Sequence, residues 1–253
     1  MATARKDQIG AAFAAAAGRY EDGAYVQRRV ARRLAERAAR ESLPERAHIL
    51  EIGCGTGLLT REIRQRWSDA VLIATDLAPE MVAATAAQGI ATRLMVMDGE
   101  APALGGERFD LILSSLTFQW FEDLPGALAR LHALLRPGGS LCFATMGVGS
   151  FIDWRKAHEG EGVASGLPDY PTLADLRTML GGFAQSWAED ETIPLPERGG
   201  RGLVRHFRAI GAQVPRPDYR PLAPAAMRRV IAHFDSGGGS SSYHVLYGGM
   251  RRD

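Results

Sequence analysis

One stretch constrains this chain more than any other: Glu51-Ile52-Gly53-Cys54-Gly55-Thr56-Gly57. It follows the apolar run Ala47 to Ile52, which reads as a buried strand, and leads into a helical pattern from Leu58 to Arg66. A strand that becomes a helix through three glycines leaves bare backbone for a ligand to lie against, where any Cβ would collide with it. The spacing excludes two common guests of such turns. A dinucleotide fingerprint needs its third glycine where this chain has Leu58, and no Lys-Ser/Thr pair follows to hold phosphate and magnesium. Glu51 would repel a pyrophosphate but suits a cationic ligand. A second apolar run, Ala70 to Thr75, ends at Asp76, where a carboxylate can take both hydroxyls of a ribose. The loop therefore predicts a pocket for a nucleoside.

Around it, strands and helices alternate. Val71 to Thr75, Thr92 to Met97, Phe109 to Ser115 and Ser140 to Thr145 read as strands, and Pro79 to Ala87 as a helix. Leu124, Leu128, Leu131 and Leu135 mark a helix from 124 to 135, stopped by Arg136-Pro137-Gly138-Gly139. Such alternation gives an α/β fold, a mostly parallel sheet with helices on both faces, whose ligands bind beyond the carboxyl ends of the strands. Gly53, Asp76, Asp98 and Ser115 all fall there.

Upstream, residues 11–20 are alanine-rich, Glu21-Asp22-Gly23 reads as a turn, and a helix with Val26, Val30 and Leu34 on its apolar face starts near Ala24. Downstream, helices are expected from Phe151, over Leu173 to Leu180, over Arg201 to Ile210, and around Met227, Val230, Ile231 and Phe234. One strand is expected within 183–195, and a last one carries Tyr243, Val245 and Tyr247. The expected organisation is an N-terminal helical segment over 1–45, a nucleoside-binding core over 46–146, and cap helices with the last strands over 147–253.

The glycine loop opened by Glu51, Asp76 at the tip of the next strand, Asp98-Gly99-Glu100 after the third, and Phe109 to Ser115 as the fourth resemble the signature segments of class I S-adenosylmethionine-dependent methyltransferases. The resemblance implies a Rossmann-like sheet with an antiparallel last strand, plus an N-terminal helix and C-terminal helical cap. The donor's sulfonium suits a pocket with Glu51 beside it. A nitrogen or hydroxyl acceptor generally benefits from a base, whereas a carboxylate is already ionised at neutral pH. The six histidines are scattered, none in the pocket loops, and His132 and His244 suit structural roles. No histidine and cysteine cluster has the spacing of a metal site, so no metal is expected.

Charge narrows the acceptor. The net charge of +1 gives no case for nucleic acid, yet Arg198 to Arg229 holds eight arginines and one acid, Asp218. That suits an acidic substrate or partner. Arg201, Arg205 and Arg208 share one helical face opposite Leu203, Phe207 and Ile210, and Arg205 is the expected carboxylate ligand. No apolar stretch is long enough to span a membrane. Met1 to Gly10 lacks a signal-peptide core. The two cysteines, Cys54 and Cys142, read as buried thiols, so the cytoplasm is expected.

Further segments resemble malonyl-acyl-carrier-protein O-methyltransferases, which start biotin synthesis. They are Phe13 with Arg19-Tyr20-Glu21, Ala24 and Gln27; Ser114-Ser115-Leu116 with Gln119-Trp120; Gly147 with Gly149-Ser150-Phe151 and Asp153; Arg205 to Gly211; and Tyr243 to Gly248. Tyr20-Glu21 replaces that family's usual Tyr-Asp, and Asp153-Trp154 its usual Glu-Leu. The resemblance implies methyl esterification of a malonyl thioester on an acidic carrier protein. It assigns Gly53, Gly55 and Gly57 to the methionine and ribose of the donor, Asp76 to the ribose hydroxyls, Leu77 to the adenine wall, and Asp98 and Gly99 to the adenine edge. Met81 is placed either on adenine or in the core, Ser115 and Gln119 near the reacting end, and Tyr20 and Gln27 over the donor. Tyr20 and Arg205 are the expected catalytic pair. Two other readings stay open: a carboxyl methyltransferase of a free small acid such as trans-aconitate, and a methyltransferase-fold hydroxylase or assembly factor.

Overall fold

The structure, a computed structural model, describes residues 2–253. Its strands are β1 (His48–Ile52), β2 (Val71–Asp76), β3 (Arg93–Val96), β4 (Phe109–Ser115), β5 (Leu135–Met146), β6 (Trp187–Pro194) and β7 (Ser242–Arg251). They form one sheet in the order β3-β2-β1-β4-β5-β7-β6. β1 to β5 pair in parallel, and β7 runs antiparallel between β5 and β6. The chain thus builds outward from β1 to β3, then crosses to β4 on the other side of β1. That reversal opens a crevice at the carboxyl ends of β1 and β4, where the loops after them diverge.

The helices are α1 (Ala2–Ala16), α2 (Tyr20–Gly23), α3 (Tyr25–Ala38), α4 (Leu58–Arg66), α5 (Pro79–Ala86), α6 (Leu124–Ala133), α7 (Ile152–Gly160), α8 (Leu173–Leu180), α9 (Gly200–Ala209) and α10 (Pro224–Ser236). Both sheet faces are covered, so β1 and β4 read as continuous apolar runs rather than alternating ones. On one face Val26, Val30 and Leu34 of α3 pack with Leu59 and Ile63 of α4 against Ile49, Leu72 and Leu111. On the other, Leu128 and Leu131 of α6 and Leu176 and Leu180 of α8 pack against Leu50, Ile112 and Phe143. Cys54 and Cys142 are buried free thiols. No helix among the described residues is long and apolar enough to cross a membrane.

Three local expectations change. The alanine-rich N-terminus is a helix from Ala2, as alanine's propensity favours, and 20–23 is a single helical turn. Leu135 belongs to β5, not to the helix before it, which ends at Ala133. Arg136 to Gly139 then form an irregularity inside that strand: Phe109 pairs with Leu135, but Leu111 pairs with Ser140.

Candidate active site

The glycine loop sits in the crevice between β1 and β4. At Gly53, φ is +74°, and a Cβ there would collide with the side chain of Thr117 from the loop after β4. Gly55, with φ +54°, would meet nothing within 4 Å and faces open space. Its amide donates to Asp76 Oδ2 at 2.9 Å, and the amide of Ala78 donates to Oδ1 at 2.9 Å. The Asp76 carboxylate is therefore fixed at the rim by backbone, with lone pairs left for a ligand. Burial pushes its carboxyl upward, against the pull of those amides.

Glu51 lies fully buried behind the loop. Its Oε2 accepts from the Thr60 hydroxyl at 2.7 Å, and its Oε1 has no partner among the described residues. Burial pushes this carboxyl up to about 8, with the charge of Asp76 adding and Thr60 opposing. Behind the loop this carboxyl therefore holds its proton at neutral pH, and a cation brought close would favour its ionised form.

Two cavities meet here. The first, of about 90 Å³, is lined by Gly53, Gly55, Asp76, Asp98, Gly99 and Ser115, with Leu77, Met81, Met97 and Phe121 forming an apolar slot. The second, of about 220 Å³, is larger and rich in aromatic residues, with Phe151, Trp154, Tyr170, Phe207 and Tyr243 in its wall. Phe13, Tyr20, Leu116 and Trp120 line both. Phe13 meets Trp120 edge-on at 5.6 Å between ring centroids, and Tyr20 at 6.5 Å. Burial raises the Tyr20 phenol above its ordinary value, and Asp76 and Glu21 add to that, so it stays protonated.

The structure brings together most of the residues singled out from sequence, though not all in the expected place. Gly53, Gly55, Asp76, Leu77, Met81, Asp98, Gly99, Ser115 and Tyr20 line the first cavity. Gly57 does not: it starts α4 with φ +86°, backed by the Gln88 amide. Gln27 and Gln119 line the second cavity instead. The Gln119 amide donates to the Leu116 carbonyl at 2.6 Å and braces that turn. Arg205 is exposed and lines neither cavity. Arg208, almost one turn further along α9, lines the second.

Sequence reasoning also passed over residues that α1 delivers. Lys6 pairs with Asp98 at 2.6 Å and with Glu100 at 2.8 Å, and Ile9 closes the slot beside it. Burial alone would lower the Lys6 ammonium, but the two carboxylates outweigh it and raise it. Glu100 in turn accepts from the amides of Glu122 and Asp123. The N-terminal helix is thus latched to the loops after β3 and β4.

Known proteins resemble this chain in sequence and in fold. A family model described as a methyltransferase domain matches residues 50–143. The biotin biosynthesis bifunctional protein BioCD of Bordetella avium is 42% identical over 95% of this chain, which spans only 51% of that longer protein. A malonyl-[acyl-carrier protein] O-methyltransferase of Magnetococcus marinus is 40% identical, with 96% of this chain and 92% of that protein covered. Among solved structures, the plantazolicin methyltransferase BpumL in complex with SAH superposes with a TM-score of 0.55 at 14% identity, over 100% of both chains. The YcgJ protein of Bacillus subtilis does so at 0.59 and 14%, over 87% of this chain and 99% of that one. At these identities the structural likeness is one of fold. The sequence identity reaches further, since it extends over nearly the whole chain. This chain is an S-adenosylmethionine-dependent methyltransferase, and it belongs to the malonyl-[acyl-carrier protein] O-methyltransferase family.

Proposed function

We propose that this chain methylates the free carboxylate of a malonyl thioester borne by an acyl carrier protein, early in biotin synthesis. The observation that carries the reading is the wall of Phe13, Tyr20, Leu116 and Trp120 shared by the two cavities. A donor in the first and an acceptor in the second would face each other across it. Bound S-adenosylmethionine supplies a sulfonium methyl group open to in-line displacement.

The residues of the first cavity fit that donor. Asp76 takes the ribose hydroxyls, and Gly53 and Gly55 let the methionine portion approach the backbone. Glu51, expected at the donor from sequence, lines neither cavity; buried behind the loop, it ties β1 to α4 through the Thr60 hydroxyl. Leu77, Met81, Met97 and Phe121 hold the adenine ring, with Asp98 and Gly99 at its edge. Tyr20, which lines both cavities, flanks the route between them, and Ser115 lies on the donor side.

In the second cavity Arg208 pairs with the acceptor's carboxylate, in place of Arg205. The aromatic walls exclude water, which would otherwise compete for the carboxylate oxygens. One of these oxygens forms the bond to the methyl carbon while the methyl–sulfur bond breaks, its electron pair staying on sulfur. No proton moves, so no base is required. Alignment of this kind can account for about 7–11 kcal/mol of a barrier. Arg201 and Arg205, exposed on the same helix, suit docking of an acidic carrier. This reading carries with it a cytoplasmic location.

Mass spectrometry of malonyl-carrier protein, malonyl-coenzyme A and trans-aconitate, each incubated with enzyme and S-adenosylmethionine, tests it. The carrier substrate should gain one methyl group. A gain on the free acid alone would overturn the malonyl thioester assignment.

A further inference from the structure

Three polar side chains from three separate elements converge on the wall of the second cavity. Tyr243, near the start of β7, is buried, and its hydroxyl lies 2.8 Å from Nε2 of His206 on α9. The Gln27 amide on α3 donates to the same hydroxyl at 3.5 Å. His206 is also buried, and its Nδ1 lies 3.5 Å from Oε1 of Glu197, in the loop before α9. Phe151 packs edge-on against the Tyr243 ring at 4.7 Å, and His206 meets it edge-on at 5.8 Å, so the phenol is held on two sides. Of this chain, Gln27 and Tyr243 line the cavity.

Donor and acceptor capacities fix what the chain can do. Nδ1 of His206 faces Glu197 at 3.5 Å, an ion-pair contact rather than a hydrogen bond, and the carboxylate, which only accepts, favours the ring with its proton on Nδ1. In the neutral ring Nε2 then accepts, and the one phenol proton of Tyr243 points at His206. Burial lowers the His206 imidazole below its ordinary value and Glu197 opposes that shift, so the ring rests neutral; in the imidazolium form, Nε2 donates to the phenol oxygen. Gln27 donates to that oxygen too, and the phenol proton is released toward the cavity. A carboxylate arriving there favours the second form, because its charge is met by a donated hydrogen bond rather than by a lone pair.

We propose that Tyr243 binds the acceptor's carboxylate through its hydroxyl, and that His206, held by Glu197, is the positioning residue that turns the phenol proton toward it. Tyr243 holds one carboxylate oxygen and leaves the other free to attack. This hydrogen-bond chain therefore shares the acid with Arg208, which lines the same cavity as Tyr243. The proposal rests on the reading that the second cavity receives an acidic acceptor.

The test is steady-state kinetics with malonyl-carrier protein, together with S-adenosylhomocysteine binding as the measure of an intact donor site. Tyr243→Phe should raise the acceptor KM at least about ten-fold, the loss expected of one hydrogen bond to a charge, with homocysteine-product affinity unchanged. His206→Leu should do the same. His206→Gln, whose amide reaches the Nε2 position and can donate to the phenol oxygen, should recover most of the loss. An unchanged acceptor KM in Tyr243→Phe would overturn the proposal, as would equal losses in His206→Gln and His206→Leu with donor-site binding intact. Failure of the unaltered enzyme on every malonyl thioester would instead overturn the functional reading on which the proposal stands, and the proposal with it.

Discussion

At the scale of single residues, charge placed in or beside the two cavities sets what each can bind. Arg208 is the one arginine of the α9 face that reaches the second cavity. Arg208→Ala should therefore raise the KM for malonyl-carrier protein about ten-fold or more while leaving donor affinity unchanged, as measured by initial rates and calorimetry. Glu51 gives a prediction in pH. Its carboxyl lies near 8 in the folded protein against an ordinary 4.5, so between those values the native state holds a proton that the unfolded state has released. Raising the pH through that window removes it at a cost, and this group's contribution to stability falls as the pH rises. Thermal melts of the ligand-free protein should show Glu51→Gln gaining on the unaltered chain from about pH 5 to 8, then running parallel to it. A constant difference across that range would contradict the burial of this charge. What sequence revealed at this scale follows the range of the interactions. Gly53, Gly55 and Asp76 were legible because a strand, a turn and a helix punctuate them locally. Lys6 on Asp98 joins residues 92 positions apart, and His206 on Tyr243 joins residues 37 apart, so neither pairing leaves a local pattern.

At the scale of elements, α1 and α9 carry the parts of the site that periodicity could not resolve. The alanines of α1 are spread around the helix, so no face stands out, yet Lys6, Ile9 and Phe13 all reach the first cavity. Lys6→Met should loosen this helix from Asp98 and Glu100. Hydrogen exchange of the amides in 2–16 should then speed up, and donor dissociation with it; unchanged exchange would show that packing alone holds α1. In α9 the wheel correctly separates Arg201, Arg205 and Arg208 from Leu203 and Ile210. It cannot say which edge of the basic face borders a cavity, because that depends on how the helix is rotated against β7 and α10. The wheel alone therefore does not separate Arg205 from Arg208. The two arginines that remain outside should act on the partner instead. Arg201→Glu with Arg205→Glu should raise the KM for malonyl-carrier protein several-fold at low salt and leave that for malonyl-coenzyme A unchanged. Equal effects on both substrates would remove the docking role.

At the scale of the whole molecule, the sheet order creates the crevice, and two added layers close it. The segment before β1 supplies Phe13 and Tyr20, and the segment after β5 supplies most of the second cavity's aromatic wall. The parallel half of the sheet was legible from alternating apolar runs and glycine turns. The second cavity was not, since it assembles from α3, α7, α9, β7 and the loops between them, none of which forms a cavity alone. The most direct test is a crystal structure with S-adenosylhomocysteine and malonyl-coenzyme A bound together. The ribose should lie on Asp76, and the sulfur should face the wall of Phe13, Tyr20, Leu116 and Trp120. The malonyl carboxylate should lie beyond that wall, beside Arg208 and Tyr243. A malonyl group bound outside the second cavity, or a sulfur turned away from that wall, would contradict this account of methyl transfer.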